Sequence, residues 1–376
     1  MTEVLTYIAL GFAGLRLLVA LVNFLFDAFR RRQVLAEEEF ISVLIPARNE
    51  EENIAKLLDK LRLQDYSNME IIVLDDNSDD ATASVVREKA GSDERVRLVY
   101  NNELPEGWSG KNYACYRLAA EASGNYLLFI DADISISGDI ISEMLDYMKK
   151  LRLVMVSVFP KQLMHNTGER LTVPSMNWIL LSLLPLPMVR LSKKSSLAAA
   201  NGQFIMFDAR VYAELRPHEM VKNSLVEDIE MMRRIKMLKP DKNRRRSLKN
   251  RYRTAVLTGD RRISCRMYRG YKDAVHGFSK NVLHFFGNNI AWALIFLFLC
   301  GPVLVFLFLH SLAFGLMFIA GGLLIRLLIS LTSRQNALYN IVMGPVQQLY
   351  LYYIVYKAVR IKYSGTYTWK GRKIKT

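Results

Sequence analysis

The clearest indication of the fold is the segment Asn125-Tyr-Leu-Leu-Phe-Ile-Asp-Ala-Asp133. Its five large apolar residues, 126–130, run without alternation, which is typical of a strand covered on both faces in a parallel sheet. The strand would end where Asp131 and Asp133 begin, and ligands bind at that edge of open α/β sheets. A divalent cation held by these carboxylates and by substrate phosphates fits such a position, and an acidic surface turn is the alternative.

Strand-like segments elsewhere in the chain alternate with helical ones, which implies βαβ units and a largely parallel sheet. Polar clusters follow three of these strands, at residues 46–51, 75–80 and 131–133, and would meet at one edge of the sheet. The sequence therefore predicts an α/β fold with its functional site at that edge. The predicted strands are residues 40–45, 70–74, 96–100, 126–130, 151–159 and 203–207.

The composition indicates a polar domain joined to membrane segments. Of the 376 residues, 51% are hydrophobic, and the mean hydropathy is +0.09 although 23% of the residues are charged. The three cysteines and five histidines are scattered and lack the spacing of a zinc site. Nothing in the cysteine pattern calls for an oxidising compartment.

The positive charge is concentrated in two stretches. Residues 239–262 and 357–376 account for the whole net charge of +15, so the rest of the chain is neutral overall. A nucleic-acid binder would more often spread basic residues over one face, so nucleic acid is not an expected partner. Both stretches lie beside hydrophobic segments, which favours contact with anionic lipid headgroups. A solvated basic loop is the alternative for residues 239–262.

Three segments are long and apolar enough to span a bilayer, namely residues 4–26, 290–309 and 312–331. Three arginines at positions 30–32 follow the first segment, whereas a cleavable signal peptide has its basic residues in front. The positive-inside rule then puts the N-terminus outside and the following domain in the cytoplasm. Arg16 is expensive at that depth, and we expect it to face another helix or to snorkel.

Two further apolar segments are better suited to lie along the membrane. Residues 338–358 contain Gly344, Pro345 and two glutamines, and a span there would place the cationic tail outside. We therefore expect an interfacial helix. Residues 178–189 are too short to span and contain two prolines, so an interfacial segment or a buried core piece is expected.

Other polar groups at the same edge of the sheet suit a nucleotide diphosphate. Asp75 and Asp76 can accept hydrogen bonds from a base or a ribose, and Lys111 on a glycine loop can meet a phosphate as a point charge. A base for an acceptor hydroxyl is also needed, and Glu227-Asp228 is the candidate. The alternatives are an ordinary turn around Lys111 and plain complementation of a helix dipole at Glu227-Asp228.

Five motifs follow one another along the chain: Pro46-Ala-Arg-Asn-Glu50, Asp75-Asp-Asn-Ser-Asp-Asp80, Gly110-Lys111, Asp131-Ala-Asp133 and Glu227-Asp228. In this order, over about residues 40–285, the chain resembles the family 2 inverting glycosyltransferases of the GT-A fold. Four further stretches are similar to the membrane-bound branch that includes hopanoid-associated and carotenoid (diaponeurosporenoate-type) glycosyltransferases. They are Gly107-Trp-Ser-Gly-Lys111, Arg266-Met-Tyr-Arg269, Gly277-Phe-Ser-Lys-Asn281 and Trp369-Lys-Gly-Arg372.

The resemblance implies a role for each matched residue. Asp133 would bind a divalent metal, Mn²⁺ or Mg²⁺, with Asp131 towards the ribose and the metal shell. Asp228 would be the general base with Glu227 beside it, and Lys111 would bind near the diphosphate. The nucleotide-sugar donor would be lined by Pro46, Arg48, Glu50 and Asp76, and the acceptor by Gly202, Gln203, Arg266 and Tyr268.

The resemblance also implies a domain order and an activity. We expect a transmembrane helix with its basic flank over residues 1–32, a cytoplasmic GT-A domain over 33–286, a helical hairpin with an interfacial helix over 287–358 and a basic tail over 359–376. The expected activity is the transfer of one sugar, by default from a UDP-sugar, to a hydroxyl or carboxyl of a lipid or isoprenoid acceptor at the plasma membrane. Processive synthases of this family carry Gln-x-x-Arg-Trp, which this chain lacks, so single transfer is favoured over polymerisation.

Other activities stay open at this point. Within the family, a polyprenyl-phosphate sugar synthase and a cell-envelope polysaccharide glycosyltransferase are the alternatives. A nucleotidyltransferase would normally have a glycine-rich loop after the first strand, and residues 46–52 contain no glycine. A non-catalytic membrane scaffold should have lost its acidic motifs, and these are all present.

Overall fold

The computed structural model describes residues 2–28, 39–101, 103–224, 226–238, 252–364, 366–369 and 372–375, the last two ranges without side chains. The chain divides into two compact units. We call Arg30–Lys161 with Pro187–Arg266 the sheet unit, and Met1–Phe29 with Gln162–Leu186 and Met267–Thr376 the helical unit. The arginines at positions 30–32, the basic residues 239–251 and the side chains from residue 365 onwards lie outside the described residues. The domain boundaries expected from the sequence stay predictions.

The sheet unit is built on a seven-stranded, mostly parallel sheet. Numbered in chain order, its strands are β1 (Ile41–Ala47), β2 (Met69–Asp75), β3 (Val96–Tyr100), β4 (Tyr126–Ile130), β6 (Leu153–Phe159), β8 (Phe204–Asp208) and β9 (Arg253–Thr258). The order across the sheet is β3-β2-β1-β4-β8-β6-β9, and β8 runs antiparallel to both of its neighbours. The α/β prediction is confirmed, with all six predicted strands present.

Burial explains why the strands are so uniformly apolar. Val43 and Leu44 of β1 and Ile130 at the end of β4 are fully buried, as expected for strands covered on both faces. The parallel register pairs Ala47 of β1 with Asp75 of β2, so these two strands end side by side. The polar residues that follow them therefore meet at one edge of the sheet, as predicted.

Helices pack around this sheet through their apolar faces. In α2 the buried residues Ile54, Leu57, Leu58 and Leu61 recur at the spacing of one helix face. The helices that lie wholly in the sheet unit are α2 (Glu51–Arg62), α3 (Thr82–Ala90), α4 (Gly110–Glu121), α5 (Ile140–Leu151), α9 (Ala209–Leu215), α10 (Pro217–Met220) and α11 (Glu227–Met237), with a short 3₁₀ helix at Ser195–Leu197. Two elements, β7 (Lys161–Gln162) and α8 (Leu186–Leu191), contain the residues at which the chain passes between units.

One strand lies within the basic stretch 239–262, for which the sequence favours contact with lipid headgroups, with a solvated loop as the alternative. The last five residues of β9 are buried, and β9 pairs in parallel with β6. Soon after β9, Arg262 forms ion pairs with Asp139, Glu143 and Asp260. Arg262 is therefore neutralised within the sheet unit, although its charge was counted towards a membrane-binding surface.

The helical unit consists of nine described helices, a 3₁₀ helix and a terminal hairpin. Its helices are α1 (Thr2–Ala28), α6 (Thr167–Thr172), α7 (Pro174–Leu183), α12 (Tyr271–Asn281), α13 (Ile290–Cys300), α14 (Val303–His310), α15 (Leu312–Thr332), α16 (Ala337–Val342) and α17 (Gly344–Ser364), with a 3₁₀ helix at Val282–Phe286. The hairpin pairs β11 (Thr366–Trp369) with β12 (Arg372–Lys375). Asn23 of α1 fastens the end of α7, because its amide donates 2.9 Å hydrogen bonds to the carbonyls of Leu181 and Leu184.

Two helices in the described part of the chain, α1 and α15, are long and apolar enough to cross a membrane, which indicates membrane association. The helical segments Tyr271–Phe286 and Ile290–Cys300, bent by 97°, would be a third crossing if taken as one. Residues 290–309, predicted as one span, instead form α13 and α14. The break lies at Gly301-Pro302, where proline has no N–H to continue the helical hydrogen bonds. Residues 338–358 are likewise divided, between α16 and α17.

Candidate active site

The loops after β1 and β2 are tied to each other at the edge of the sheet. Asn49 and Asn77 both adopt the left-handed conformation, with φ of 54°, which asparagine tolerates better than most residues. The side-chain oxygen of Asn49 accepts a 2.9 Å hydrogen bond from the N–H of Asp79 in the neighbouring loop. Polar residues from two separate motifs are thereby held next to each other.

This arrangement brings together the predicted nucleotide-binding residues Arg48 and Asp76. The Arg48 guanidinium donates to the Asp76 carbonyl at 2.7 Å and lies 3.8 Å from its carboxylate. Asn101, at the end of β3, donates to the same carboxylate at 2.9 Å. Pro46 lies in β1 and Glu50 precedes α2, with the Glu50 N–H bonded to the Thr82 hydroxyl.

Lys111 lies between two acidic motifs. Ser109 caps the N-terminus of α4, and Lys111 in the first turn of that helix donates to Asp131 Oδ2 at 2.7 Å. The same ammonium lies 3.8 Å from Glu227 Oε1. Burial by itself would lower the pKa of Lys111, but the two carboxylates outweigh it and hold that pKa above its ordinary value. Here the contacts of Lys111 are with acids of the protein, and its role near a diphosphate stays a prediction.

Asp133 has one bonded and one free carboxylate oxygen. Its Oδ2 accepts a hydrogen bond of 3.3 Å from the thiol of Cys265, while Oδ1 is buried without a hydrogen-bond partner in the described structure. Burial, and after it the charge of Asp131, raise the pKa of Asp133 to about 6. A buried carboxylate oxygen without a donor fits a bound cation.

Cys265 was not identified from the sequence. It reaches Asp133 because β10 (Ile263–Cys265) pairs antiparallel with β5 (Ile134–Ile136), which starts directly after Asp133. Gln203 donates to the Cys265 sulfur at 2.8 Å, and its own Oε1 is buried without a partner in the described residues. A lone cysteine far along the chain carries no motif, so only the strand pairing reveals this contact.

The donor set fits a hard divalent cation that shares its coordination with a substrate. Asp131 and Asp133 offer carboxylate oxygens one residue apart, which Mn²⁺ or Mg²⁺ would accept. Across the described ranges, no group of three or more histidine, cysteine or acidic side chains could hold a metal alone. Phosphate oxygens of a ligand and water molecules would complete the shell.

The predicted base lies next to the predicted acceptor residue Gly202. Asp228, in the first turn of α11, accepts a 2.9 Å hydrogen bond at Oδ2 from the Gly202 N–H. A Cβ placed on Gly202 would be 3.4 Å from Lys111 Nζ and 3.5 Å from Glu227 Oε1, so a larger side chain would press on this cluster. Burial, and next the Glu227 charge, raise the pKa of Asp228 to about 7.

The remaining two acceptor candidates belong to different units. Arg266 directly follows β10 in the sheet unit, one residue beyond Cys265. Tyr268 belongs to the helical unit, where its ring packs edge-on against Phe278 with centroids 4.8 Å apart. There it covers Gly277, at which any Cβ would overlap the Tyr268 ring.

Comparison with known proteins identifies the family of one part of the chain. Residues 42–216 match the family model described as Glycosyl transferase family 2. This part of the chain is a family 2 glycosyltransferase domain. The match begins in β1 and ends after α9, so it contains the Arg48, Lys111 and Asp131–Asp133 sites but not Asp228.

Two curated relatives are similar in sequence to part of this chain. A 4,4'-diaponeurosporenoate glycosyltransferase from Staphylococcus haemolyticus is 26% identical over 258 residues, which cover 68% of this chain and 64% of the relative. The Staphylococcus aureus protein of the same name is 34% identical over 111 residues, 28% of each chain. The chain thus matches under two thirds of the length of these relatives. Among solved structures, the mannosyltransferase PcManGT from Pyrobaculum calidifontis in complex with GDP-Man and Mn²⁺ has a TM-score of 0.53 at 17% identity. That similarity covers 94% of this chain and 99% of the other, and it supports the GT-A fold.

Proposed function

We propose that this glycosyltransferase transfers one sugar from a nucleotide-diphospho-sugar, by default a UDP-sugar, to a hydroxyl or carboxyl group of a lipid or isoprenoid acceptor, with inversion. The observation that carries the proposal is the clustering of Asp228, Glu227, Lys111 and Asp131 around Gly202. Displacement at an anomeric carbon requires a base, a positive charge near the leaving group and carboxylates that can hold a metal, and these lie together at the edge of the sheet. The relatives named after a carotenoid acid support an isoprenoid acceptor.

Asp228 would act on the acceptor. In an inverting transfer the acceptor oxygen attacks the anomeric carbon as the bond to the nucleotide diphosphate breaks, and one carboxylate takes the acceptor proton. A carboxylate with a pKa near 7 is well matched to that work at neutral pH. A carboxyl acceptor is already ionised at pH 7, so Asp228 matters most for a hydroxyl acceptor.

The other residues would hold the donor. Asp133 and Asp131 would hold a divalent cation, supported by the free Asp133 oxygen and by the Mn²⁺ in the structurally similar mannosyltransferase. When bound, such an ion neutralises charge on a leaving diphosphate. Lys111 would exchange part of its contact with Asp131 for a phosphate oxygen, and Arg48 with Asp76 and Asn101 would fix the base and ribose.

The protein would lie in the plasma membrane. Charge placement in the sequence and the membrane-type helices α1 and α15 support a multi-pass protein of the plasma membrane with a cytoplasmic sheet unit. Anionic headgroups would then contact the basic stretches outside the described residues. The absence of the Gln-x-x-Arg-Trp motif supports transfer of a single sugar over polymerisation.

Labelled donors test the proposal. The purified full chain, in detergent with Mn²⁺ and a total lipid extract, is incubated with nucleotide sugars that carry a radiolabelled sugar. We expect label in the organic phase from one donor, with release of the nucleoside diphosphate. Release of pyrophosphate in place of a nucleoside diphosphate would instead indicate nucleotidyl transfer. Absence of lipid-soluble label from every donor would contradict a lipid acceptor.

A further inference from the structure

Two arginines of the helical unit stack on one tryptophan. The guanidinium carbon of Arg16 in α1 lies 4.2 Å from the ring centroid of Trp178 in α7, and that of Arg326 in α15 lies 4.4 Å from it. Arg16 and Trp178 are buried, with 4% and 7% of their surfaces exposed. Two cations are thus held beside one indole, between the two helices that are apolar enough to cross a membrane.

These two positive charges have no acidic partner in the described structure. Arg16 donates only to the Ser182 hydroxyl and the Cys300 sulfur, at 3.0–3.1 Å. Arg326 donates to Gln347 Oε1 at 2.9 Å and to the carbonyls of Asn340 and Gly344. All these acceptors are neutral in their ordinary protonation states.

The helical unit cannot easily supply a carboxylate, because its sequence contains only four acidic residues. Asp27 pairs with Arg334 at 2.5 Å, and Glu169 accepts hydrogen bonds from Asn166 and the N–H of His165. Asp273 accepts from the N–H of Arg269, and Glu3 is exposed in the first turn of α1. Cations among membrane helices normally pair with an opposite charge, so the missing charge points to a bound anion.

The unused donors of the cluster suit an oxyanion. Each guanidinium has five N–H groups, and the described hydrogen bonds of Arg16 and Arg326 do not use them all. The Trp178 Nε1–H is buried without a hydrogen-bond partner in the described structure, which adds a third donor group. Guanidinium forks match carboxylate and phosphate geometry. Arg326 and Cys300 keep partial exposure, so the cluster is open on that side.

We propose that Arg16, Trp178 and Arg326 form a binding site for the oxyanion head of a membrane lipid, a phosphate or a carboxylate. The setting favours a lipid, because α1 and α15 expose large apolar side chains such as Leu15, Leu18, Leu323 and Leu324. A lipid tail can lie along such a surface, whereas a free aqueous ion would gain nothing from it. All residues of this site belong to the helical unit, and none of them is among the residues assigned to the donor, the metal or the base.

Native mass spectrometry of the delipidated full chain in a maltoside detergent tests the site. The probes are oleate, dioleoyl phosphatidate, the uncharged oleyl alcohol and inorganic phosphate. We expect wild type to bind both anionic lipids at least about tenfold more tightly than oleyl alcohol. Equal binding of oleate and oleyl alcohol would overturn the proposal. The lipid assignment would be overturned if inorganic phosphate were the only probe that binds and if its binding depended on Arg16 and Arg326.

Variants identify the site within the chain. Arg16→Gln and Arg326→Gln should each weaken binding of the anionic lipids at least about tenfold and leave oleyl alcohol unchanged. Trp178→Phe should cause a smaller loss, since it keeps a ring but removes the indole N–H. The matched control is Arg334→Gln, because that arginine already pairs with Asp27. If Arg16→Gln fails to fold, oleate binding by Arg326→Gln is compared with that by Arg326→Lys, which keeps the charge. Unchanged oleate binding in Arg326→Gln overturns the proposal.

Discussion

The backbone N–H of Gly202 donates a hydrogen bond of 2.9 Å to Oδ2 of Asp228. The N–H of Ile229 donates to the other oxygen at 2.8 Å, so the carboxylate is held in one orientation. Both hydrogen bonds favour the ionised form, yet burial and the nearby Glu227 charge outweigh them and keep the Asp228 pKa near 7. An oriented carboxylate that gains and loses its proton near neutral pH has the properties of a general base.

Transfer to a hydroxyl acceptor should therefore depend on pH with a transition near 7. The raised pKa means that Asp228 is protonated, and inactive as a base, below that value. We expect kcat/KM to fall about tenfold for each pH unit below 7 and to level off above it. Initial rates from pH 5.5 to 8.5 at fixed metal concentration measure this. A rate that stays flat down to pH 5.5 would contradict the assignment.

Replacing Lys111 by methionine should move that transition upwards. The Lys111 charge lowers the pKa of Asp228. Its loss should therefore move the acidic limb of the pH–rate profile to higher pH by roughly one unit, as expected for a nearby opposite charge. Lys89→Met is the matched control, because Lys89 pairs with Asp59 at the surface of the sheet unit. An unshifted profile in Lys111→Met, or an equal shift in the control, would show that Lys111 does not act on the base.

Asp133→Ala should abolish the part of nucleotide binding that depends on metal. The variant removes the buried oxygen that has no partner in the described structure, and losing one partner of a buried charge pair costs roughly 2 kcal/mol or more, about 30-fold in affinity. Calorimetric titration with UDP, with and without Mn²⁺, measures this. The exposed Asp65→Ala serves as control. Equal Mn²⁺-dependent affinities in Asp133→Ala and wild type would show that Asp133 is not a ligand.

Much of the sheet was predictable from local patterns. The unbroken apolar run at residues 126–130 indicates a strand buried on both faces, and the parallel arrangement then puts Asp76 and Asp131 at the same edge. β9 escaped prediction because its short apolar core lies between arginines that suggested a loop. The antiparallel direction of β8 also depends on the chain path rather than on residue type.

The site was only partly predictable, because several of its contacts join distant residues. Cys265 meets Asp133 across 132 positions through the pairing of β10 with β5, and no spacing rule connects them. Lys111 and Asp131 are likewise 20 positions apart, and no spacing rule predicts their contact. The break at Gly301-Pro302, by contrast, has a local cause, because proline lacks the N–H that would continue the helical hydrogen bonds; overall hydropathy does not indicate it.

The proposed orientation predicts that the sheet unit and the C-terminus lie in the cytoplasm. Single cysteines introduced at Ser92 and Thr376 should react with an impermeant maleimide only after the cells are permeabilised, because the positive-inside rule keeps the basic tail inside. Glu3→Cys is the control and should react in intact cells. Labelling of Thr376→Cys in intact cells would make residues 338–358 a further span.

The role of Asp228 as general base is tested by the rate of sugar transfer by Asp228→Asn, measured beside the affinity of this variant for UDP with Mn²⁺. Asparagine keeps the shape of the side chain and removes its basicity, so turnover with a hydroxyl acceptor should fall about 10²- to 10⁴-fold while UDP affinity stays within about twofold. Glu227→Gln, one residue away, is the matched control and should lose less. Near wild-type turnover in Asp228→Asn, or a product that keeps the anomeric configuration of the donor, would contradict an inverting transfer with Asp228 as base.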